Sequence, residues 1–244
     1  MTSTTAPTKP TALVTGANKG IGRETARQLG RLGMTVLVGA RDDERGERAA
    51  RELREEGLDA RFLRLDVTRQ DTVDQAAAEI GRDFGQLDVL INNAAIVESG
   101  EVPSETTVAT AEHIYRTNVF GVIAVTHAML PLLRAAEAGR VVNLSSRLAS
   151  LRKAADLDAP HRSLLAYNSS KAALNSLTLH YAREFADTPL KINSVTPGAV
   201  PTDLSGHQGN RTVEEGARTV VRLATLAADG PTGGFFDDSG PVAW

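Results

Sequence analysis

Two side chains four residues apart, Tyr167 and Lys171, form the pair in this chain that is best suited to acid–base chemistry. Side chains at positions i and i+4 of a helix stand on one face, about 5–6 Å apart at Cβ. A fixed ammonium beside a phenol favours the phenolate and lowers a pKa that starts at about 10. The pair therefore predicts a proton donor and acceptor that works near neutral pH. Taken alone, the spacing also fits an ordinary pair on a helix surface.

A glycine-rich turn is the second feature that indicates chemistry. Its glycines follow the spacing G-x-x-x-G-x-G between the first apolar run and the first amphipathic stretch. Glycine permits the positive φ and the close backbone approach that a pyrophosphate requires, and a helix N-terminus supplies N–H donors. At this junction the turn predicts a dinucleotide site, with a purely structural turn as the alternative. The expected cofactor contacts in the turn are Gly16, Asn18, Lys19, Gly20, Ile21 and Gly22.

The end of the second predicted strand selects between cofactors. An acidic residue there binds a ribose 2′-hydroxyl, whereas a basic residue accepts a 2′-phosphate. Here Arg41 follows the strand and Lys19 adds a second positive charge. Arginine binds phosphate through two parallel hydrogen bonds, so these residues favour NADP over NAD. Asp42 keeps NAD as the alternative, because its carboxylate could pair with Arg41 or bind the hydroxyl.

Composition excludes several classes of function. The chain has 244 residues, a net charge of −3 and no cysteine. It therefore has no disulfide or thiol chemistry, and it offers no electrostatic basis for binding nucleic acid or a membrane surface. Residues 1–10 lack the apolar core of a secretory signal and are expected to be a disordered lead. No apolar run is expected to reach the roughly 20 residues that span a bilayer, so a cytoplasmic protein is expected.

The elements that position these residues alternate between strand and helix. Short apolar runs rich in β-branched residues suit a parallel sheet that is covered on both faces. The fold class expected is α/β: one Rossmann-type doubly wound domain over residues 11–244, with about seven parallel strands and helices on both faces. Strands are expected at residues 11–15, 34–38, 61–65, 88–91, 140–144, 191–195 and 234–235. Helices are expected at residues 21–32, 44–56, 71–84, 108–137, 165–186 and 213–228.

In order and approximate spacing, these motifs resemble the short-chain dehydrogenase/reductases over essentially the whole chain from Thr11. The motifs that carry the resemblance are Thr15-Gly16-x3-Gly20-x-Gly22, Asp66-Val67, Asn92-Asn93-Ala94-Ala95, Asn118, Ser146, Tyr167-x3-Lys171 and Pro197-Gly198. Within the family the chain is most similar to the monomeric NADPH-dependent carbonyl reductases. Residues 14–22, 40–42 and 213–216, together with Trp244, carry that closer likeness.

The resemblance implies four catalytic residues. Tyr167 would donate a proton to a carbonyl oxygen, and Lys171 would lower the Tyr167 pKa and bind the nicotinamide ribose. Ser146 would hold the substrate oxygen, because it opens the Ser-x-x-small turn of the family, and Ser145 would then be structural. Asn118 interrupts a helical stretch, so a local kink that holds a water is plausible there. In the family that water links the lysine to solvent.

The resemblance also assigns the remaining cofactor contacts. Asp66 would accept a hydrogen bond from the adenine amino group, Pro197 and Gly198 would shape the loop under the nicotinamide, and Thr202 would reach the carboxamide or the phosphates. Asn92 is expected against the cofactor because it ends the fourth strand. The cofactor contacts expected outside the glycine turn are Arg41, Asp66, Val67, Asn92, Ala94, Tyr167, Lys171, Pro197, Gly198, Val200 and Thr202.

Departures from the family pattern concern the substrate side. Ala95 stands where the family usually carries glycine. Ala199 replaces an aromatic residue that walls the pocket in the carbonyl reductases, and Arg147 stands where a hydrophobic residue is usual. A wider and more polar pocket is therefore expected, with Ser146, Arg147, Leu148 and Ala199 facing the substrate. The extra residues 152–161 resemble the insertion of the monomeric members and favour a monomer.

Residues 201–212, rich in glycine and polar side chains, are expected to form a lid over the substrate, with a simple surface connection as the alternative. The five histidines show no ligand spacing, so no metal site is expected.

The function indicated is NADPH-dependent reduction of a small ketone or aldehyde to an alcohol. Alcohol oxidation or C=N reduction in the same site is the alternative, and a non-catalytic NADP-binding sensor is an alternative of a different class.

Overall fold

A computed structural model describes residues 9–98, 102–158 and 163–244. Within them one sheet has the strand order β3-β2-β1-β4-β5-β6-β7-β8. The first seven strands pair in parallel, and the two-residue β8 pairs antiparallel to β7, which confirms the expected fold class. The strands are β1 (Thr11–Thr15), β2 (Thr35–Ala40), β3 (Ala60–Arg64), β4 (Val89–Asn92), β5 (Arg140–Leu144), β6 (Lys191–Val195), β7 (Phe235–Asp237) and β8 (Gly240–Pro241).

Helices cover both faces of this sheet, as expected. The helices are α1 (Gly20–Arg31), α2 (Asp43–Glu55), α3 (Gln70–Phe84), α4 (Val108–Tyr115), α5 (Gly121–Ala135), α6 (Leu151–Ala154), α7 (Leu165–Glu184) and α8 (Val213–Ala224). Alternate side chains of a strand point to opposite faces of the sheet. In β1, Val14 packs with α1, α2 and α8 in one core cluster, and Leu13 packs with α3, α5 and α7 in the other.

The strand order reverses beside β1, which pairs with β2 on one side and with β4 on the other. Ligands of doubly wound sheets bind outside the carboxyl ends of the strands at such a reversal. The glycine turn follows β1 at this point, and the β4 strand ends at Asn92 beside it. The topology therefore brings motifs that are far apart in the chain to one edge of the sheet.

The long helix expected at residues 108–137 is interrupted. A π-helical turn, Arg116–Phe120, separates α4 from α5 and contains Asn118. Such π turns occur often at functional sites. This one lies at Asn118, the residue that was expected to disturb the helix. The last predicted helix also ends earlier, at Ala224, and the last parallel strand begins at Phe235.

The run Val108–Ala135 is long and apolar enough, by length and composition, to cross a membrane, a property that was not recognised from the sequence. In this fold 44% of its most apolar window is buried. Val125, Met129 and Leu133 of α5 lie in the core cluster between the sheet and α3. A core helix needs such a face, so the packing accounts for the apolar composition.

Candidate active site

A cleft of about 1060 Å³ opens at the carboxyl ends of the strands. It is bounded by the glycine turn, by the segments that follow β3, β4, β5 and β6, and by the lid. Most residues expected at the site converge on it, although they come from seven separate parts of the chain. The expected residues that line the cleft are Gly16, Asn18, Lys19, Gly20, Ile21, Gly22, Arg41, Asp66, Val67, Ala94, Ser146, Leu148, Tyr167, Lys171, Pro197, Gly198, Ala199, Val200 and Thr202.

Asn92, expected against the cofactor, is not among the described residues that line the cleft. The Asn92 side chain is 3% exposed and turns into the fold, where its amide donates to Thr126 Oγ1 at 3.1 Å and to Asn143 Oδ1 at 2.8 Å. Because successive side chains of a strand point to opposite sides, the next residue along the chain reaches the cleft instead. That residue is Asn93.

Asn93 and Thr15 hold the glycine turn, a role that was not expected from the sequence. The Asn93 amide donates to Thr15 O at 2.8 Å and to Gly16 O at 3.2 Å. Thr15 Oγ1 accepts from the backbone N–H groups of Asn93 and Ala94 at 3.0 and 2.9 Å. The Asn-Asn pair at the end of β4 was the sequence signal that could have indicated this role. Because β1 and β4 are neighbours in the sheet, the end of β4 lies beside the glycine turn.

The glycine turn has the backbone that its spacing predicts. Gly16 and Gly20 have φ values of 64° and 55°, in the left-handed region that glycine adopts without strain. At Gly22 an added Cβ would lie 2.4 Å from Asn93 Nδ2 and 2.7 Å from Gly16 O. Only hydrogen fits there, so α1 begins close to Asn93 and Gly16, and its first residues line the cleft.

The cations expected beside the adenosine have different environments. Asp42 caps α2, accepting from Arg45 N at 2.9 Å, and its other oxygen lies 3.7 Å from Arg45 Nε. The Arg41 guanidinium is therefore not paired with Asp42. Arg41 lines the cleft and forms no salt bridge with any described residue. Lys19, in contrast, donates to the Asp203 carboxylate of the lid.

Asp66 is partly engaged within its own turn. Its Oδ1 accepts from Thr68 N at 2.9 Å and from Thr68 Oγ1 at 2.7 Å. The second oxygen, Oδ2, accepts no hydrogen bond from the described part of the chain, so it is available to an adenine amino group. Val67 follows, and Gly121 at the start of α5 packs against it, since a Cβ there would lie 2.8 Å from Val67 Cγ2.

Tyr167 and Lys171 lie in the first half of α7, and both are buried, at 8% and 3% exposure. The Lys171 Nζ donates to Leu144 O at 2.7 Å and stands 5.9 Å from the centre of the Tyr167 ring. Burial lowers the pKa of Lys171 to about 7, because a charge is poorly solvated there. Lys171 is therefore held by the end of β5 as well as by its own helix.

The expected lowering of the Tyr167 pKa is not found. Burial raises the pKa of Tyr167 above its ordinary value, and a hydrogen bond with Ser146 only partly opposes this. The physical reason is that desolvation disfavours the phenolate more strongly than the neighbouring polar groups favour it. Tyr167 is consequently held as a neutral phenol, the form that can donate a proton.

The two serines at the end of β5 have separate surroundings. Ser146 lines the cleft, faces the Tyr167 phenol and accepts from Leu148 N at 3.2 Å, at the start of a short 3₁₀ turn. Ser145 is buried, and its hydroxyl donates to Lys171 O at 3.4 Å. Ser145 also borders the cleft, but its hydroxyl bonds the backbone of α7, whereas the Ser146 hydroxyl faces the phenol. The assignment of the substrate to Ser146, with Ser145 structural, stays a prediction.

Asn118 lies behind the cleft rather than on its wall. Its side chain is fully buried: Oδ1 accepts from Ile96 N at 2.9 Å, and the amide donates to Ile96 O at 2.9 Å and to Ser170 Oγ at 3.1 Å. With both donors used, the side chain fastens the π turn to the segment after β4 and to α7. A water relay here would use backbone groups that the π turn releases.

Arg147, expected to face the substrate, is not among the described residues that line the cleft. The Arg147 guanidinium pairs with Asp237 of β7. The backbone N–H of Arg147 donates to Thr196 Oγ1 at 3.2 Å. A buried carboxylate attracts the arginine away from the cleft. The expected polar character from Arg147 is therefore absent, and the lining of the cleft includes apolar side chains that were not expected there from the sequence. They are Ile96, Val97, Leu164 and Leu204.

Of the segment predicted to be a lid, residues 201–212, residues 201–209 line the cleft, and the segment contains one 3₁₀ turn, Asp203–Ser205. Its far end folds back on Ala199, whose carbonyl accepts from Asn210 N at 3.1 Å and from Arg211 N at 3.2 Å. Arg211 lies across Gly198, where a Cβ would meet Arg211 Cδ at 2.8 Å. Gly198, with φ of 78°, allows this close crossing.

These observations fit a dinucleotide. The helix N-terminus and the glycine turn provide a cradle that a Cβ at Gly22 would fill, and Arg41 and Lys19 provide cations for phosphate. Ser146, Tyr167 and Lys171 line the same cleft. A cofactor bound along the strand ends would therefore lie beside a proton donor.

Comparison with known proteins identifies the family. A family model described as short chain dehydrogenase matches residues 10–212. Carbonyl reductase [NADPH] 1 of Rattus norvegicus is 34% identical over 278 aligned positions that cover 97% of this chain and 99% of the relative. Salutaridine reductase of Papaver bracteatum is 32% identical over 295 positions, covering 93% and 94%.

Solved structures agree with this result. The structure of an NADPH-bound carbonyl reductase from chicken fatty liver has a TM-score of 0.86 at 28% identity, covering 97% of this chain and 99% of that chain. Salutaridine reductase from Papaver somniferum has a TM-score of 0.84 at 31% identity, covering 94% and 100%. The chain belongs to the short-chain dehydrogenase/reductase family, as its motifs predicted.

Proposed function

We propose that this protein is an NADPH-dependent oxidoreductase that reduces a ketone or aldehyde to an alcohol, with Tyr167 as the proton donor. The observation that carries the proposal is the placement of the Ser146 hydroxyl, the Tyr167 phenol and the Lys171 ammonium along one cleft with the glycine turn. Relatives named as reductases, among them carbonyl reductase [NADPH] 1, support the same reaction.

Each residue has a defined task in this reaction. Ser146 hydrogen-bonds the carbonyl oxygen and holds it beside the Tyr167 hydroxyl. NADPH, when bound, supplies the hydride for the carbonyl carbon. Tyr167 protonates the developing alkoxide, and a raised pKa suits this direction because the phenol is still protonated at neutral pH. Lys171, fixed by Leu144 O, supplies positive charge beside the phenolate that remains.

Substituting Tyr167 tests the proposal. Oxidation of NADPH is followed by the absorbance of the reduced nicotinamide with a panel of ketones, quinones, aldehydes and imines. Tyr167→Phe should lower kcat by about 10²- to 10⁴-fold, the usual contribution of a positioned acid, while the Kd for NADPH changes little. Turnover retained by the variant would contradict the role of Tyr167.

The panel also separates the alternative functions. Turnover of imines but not of ketones would assign C=N reduction, and turnover of alcohols with NADP⁺ alone would assign oxidation. Tight NADPH binding without turnover of any compound would favour a sensor. The intact Ser146–Tyr167 contact favours an enzyme, because a sensor needs no proton donor.

Cofactor choice depends on Arg41. Its guanidinium lines the cleft at the end of β2, whereas Asp42 is engaged with Arg45. Arg41→Ala should weaken NADPH by about 10- to 100-fold, the range for a hydrogen-bonded charge, and should affect NADH far less. Arg45→Ala is the control, since it removes a neighbouring cation that pairs with Asp42. Equal losses for both cofactors in Arg41→Ala would exclude contact with the 2′-phosphate.

The monomeric state and the cytoplasmic location remain predictions. Residues 159–161 of the predicted insertion, like residues 1–8 of the predicted lead, lie outside the described residues. The described part of the insertion begins in α6 at Arg152, whose N–H donates to Trp244 O at 3.2 Å. Ser150, which caps α6, donates its hydroxyl to the same oxygen at 3.3 Å. Light scattering on the purified protein would decide between a monomer and an oligomer.

A further inference from the structure

The lid is joined to the glycine turn by a pair of charged side chains. Lys19 is the residue directly before α1, and its Nζ donates to the Asp203 carboxylate, 184 positions later in the chain. Both side chains are 56% exposed, and both residues line the cleft. The pair therefore bridges the mouth of the cleft above the turn that is proposed to hold the cofactor phosphates.

Local structure directs Asp203 at Lys19. Asp203 begins the 3₁₀ turn, and Ser205 Oγ accepts from Thr202 N at 3.0 Å and donates to Val200 O at 2.8 Å. The space at Gly20 is bounded by the Thr202 methyl, 3.4 Å from a Cβ built there. The beginning of the lid thus lies against the glycine turn through the Thr202 methyl, and the Lys19–Asp203 bridge lies beside this contact.

His207 adds to the definition of this turn. It is the only described residue other than glycine with a positive φ, at 59°. Its N–H donates to Thr202 O at 2.8 Å, and its Nε2 lies 3.4 Å from Asp203 Oδ1. A non-glycine residue held in the left-handed region carries strain, and such strain concentrates at functional sites and switches.

The two cations proposed for the cofactor are therefore not equivalent. Arg41 has no salt bridge with any described residue, whereas the charge of Lys19 is already balanced by a carboxylate. A phosphate that binds Lys19 must share it with Asp203 or displace Asp203. An aspartate that stayed beside the phosphate would also repel it.

We propose that Asp203 is a counter-ion that Lys19 exchanges for a phosphate group of NADP(H), so that cofactor binding detaches the lid from the glycine turn. This inference rests on the proposed function, because it takes the dinucleotide as the ligand. Asp203 acts through Lys19 and is a positioning residue, not a catalytic one. Its effect is to weaken cofactor binding and to hasten cofactor release.

Two variants, alone and combined, test the exchange. The Kd for NADPH is measured by the fluorescence of the reduced nicotinamide, and its release rate by stopped flow, at one fixed pH and ionic strength. Asp203→Asn should tighten NADPH about three- to tenfold, as expected for an exposed ion pair plus the removed repulsion, and should slow release. Lys19→Met should weaken NADPH binding.

The double variant distinguishes the exchange from a direct effect of Asp203 on the cofactor. In the Lys19→Met background, Asp203→Asn should have less than half of its single-variant effect on the logarithm of Kd, because the exchanged cation is gone. In the Arg41→Ala background it should keep its full effect. A similar gain in all three backgrounds would overturn the exchange, since Asp203 would then repel the cofactor without acting through Lys19. Unchanged or weaker binding in the single variant would overturn it as well.

A remote control and a stability measurement complete the experiment. Asp187→Asn removes an exposed carboxylate between α7 and β6 and should leave the Kd unchanged. Thermal unfolding of each variant shows whether the chain still folds. A wild-type protein that does not bind NADPH would refute the proposed function itself. A protein that binds NADPH but is indifferent to Asp203 would refute only the exchange.

Discussion

The floor and the lid of the cleft are built in different ways. The floor is the edge of the sheet, where Lys171 donates to Leu144 O and Asn93 closes over the glycine turn inside the fold. The proposed lid, residues 201–212, is attached by ion pairs of partly exposed side chains, besides the backbone hydrogen bonds that join its far end to Ala199 O. Lys19 and Asp203 form one pair, and Arg211 and Asp238 form the other, with exposures of 56% and 56%, and 21% and 38%.

This difference teaches which parts of the site are rigid. A buried polar group that loses its partner costs about 1–3 kcal/mol, so the floor has one stable arrangement. An exposed ion pair contributes about 0–1 kcal/mol, so the lid can exchange partners at little cost. The residues proposed for the chemistry therefore lie on the part that is firmly held, and the proposed lid lies on the part that can exchange partners. Three predictions test this contrast.

The largest effect is expected at Lys171. Its folded-state pKa of about 7 is below its ordinary value of 10.5, so between these values the unfolded chain binds more protons than the folded protein. The free energy of unfolding should therefore rise as pH increases from 7, by up to about 1.4 kcal/mol per pH unit. Urea unfolding of the cofactor-free protein between pH 7 and pH 9.5 measures it.

Two variants isolate this contribution. Lys171→Met should lose the rise, because no buried amine remains to titrate. Lys153→Met, at an exposed lysine of α6, should keep it. If Lys171→Met and the wild type show the same pH dependence, the floor does not hold a desolvated lysine.

The next effect is expected at Gly22. Gly22→Ala introduces a methyl group 2.4 Å from Asn93 Nδ2 and 2.7 Å from Gly16 O, and a backbone oxygen cannot move away cheaply. Overpacking of this kind should lower the free energy of unfolding by about 1–3 kcal/mol and weaken NADPH binding. Chemical denaturation and fluorescence titration measure the two losses.

Gly81 provides the matched control for Gly22. It also lies inside a helix, α3, but its nearest neighbour would be Leu132 Cδ2 at an ordinary 3.5 Å. Gly81→Ala should stabilise the protein by about 0.5–1 kcal/mol through helix propensity. A Gly22→Ala protein as stable as the Gly81→Ala protein would show that the floor is looser than the contacts indicate.

The smallest effect is expected in the lid. Asp238→Asn removes the charge opposite Arg211 and should lower the free energy of unfolding by less than about 1 kcal/mol, since the pair is partly exposed. The same change at the neighbouring Asp237, whose side chain is 8% exposed and pairs with Arg147, should cost more. Equal costs in urea unfolding would remove the distinction between buried and exposed attachments.

Local motifs predicted the elements of the fold well, because periodicity and turn residues act within a few positions. The glycine turn appeared between β1 and α1, where its spacing indicated, with Gly16 and Gly20 at positive φ. Asn118 indicated a disturbed helix, and a π turn is found there. Side-chain direction was less predictable. Asn92 was chosen over Asn93, because a one-residue shift along a strand reverses the face.

Long-range partners account for the remaining differences. Nothing near Arg147 in the sequence indicated that Asp237, 90 positions later, would draw it away from the cleft. The lid was recognised by composition, but its attachment to Lys19 was not, because the two are 184 positions apart. A charge pair between distant segments depends on how the whole sheet brings them together.

The sequence by itself determined the family, the doubly wound fold and the order of the residues proposed for catalysis, because these depend on residue types at short spacings. Only the tertiary structure decided the state of those residues. Tyr167 and Lys171 are both buried, so burial raises one pKa and lowers the other. Desolvation is a property of everything packed around a group, and no local spacing contains it.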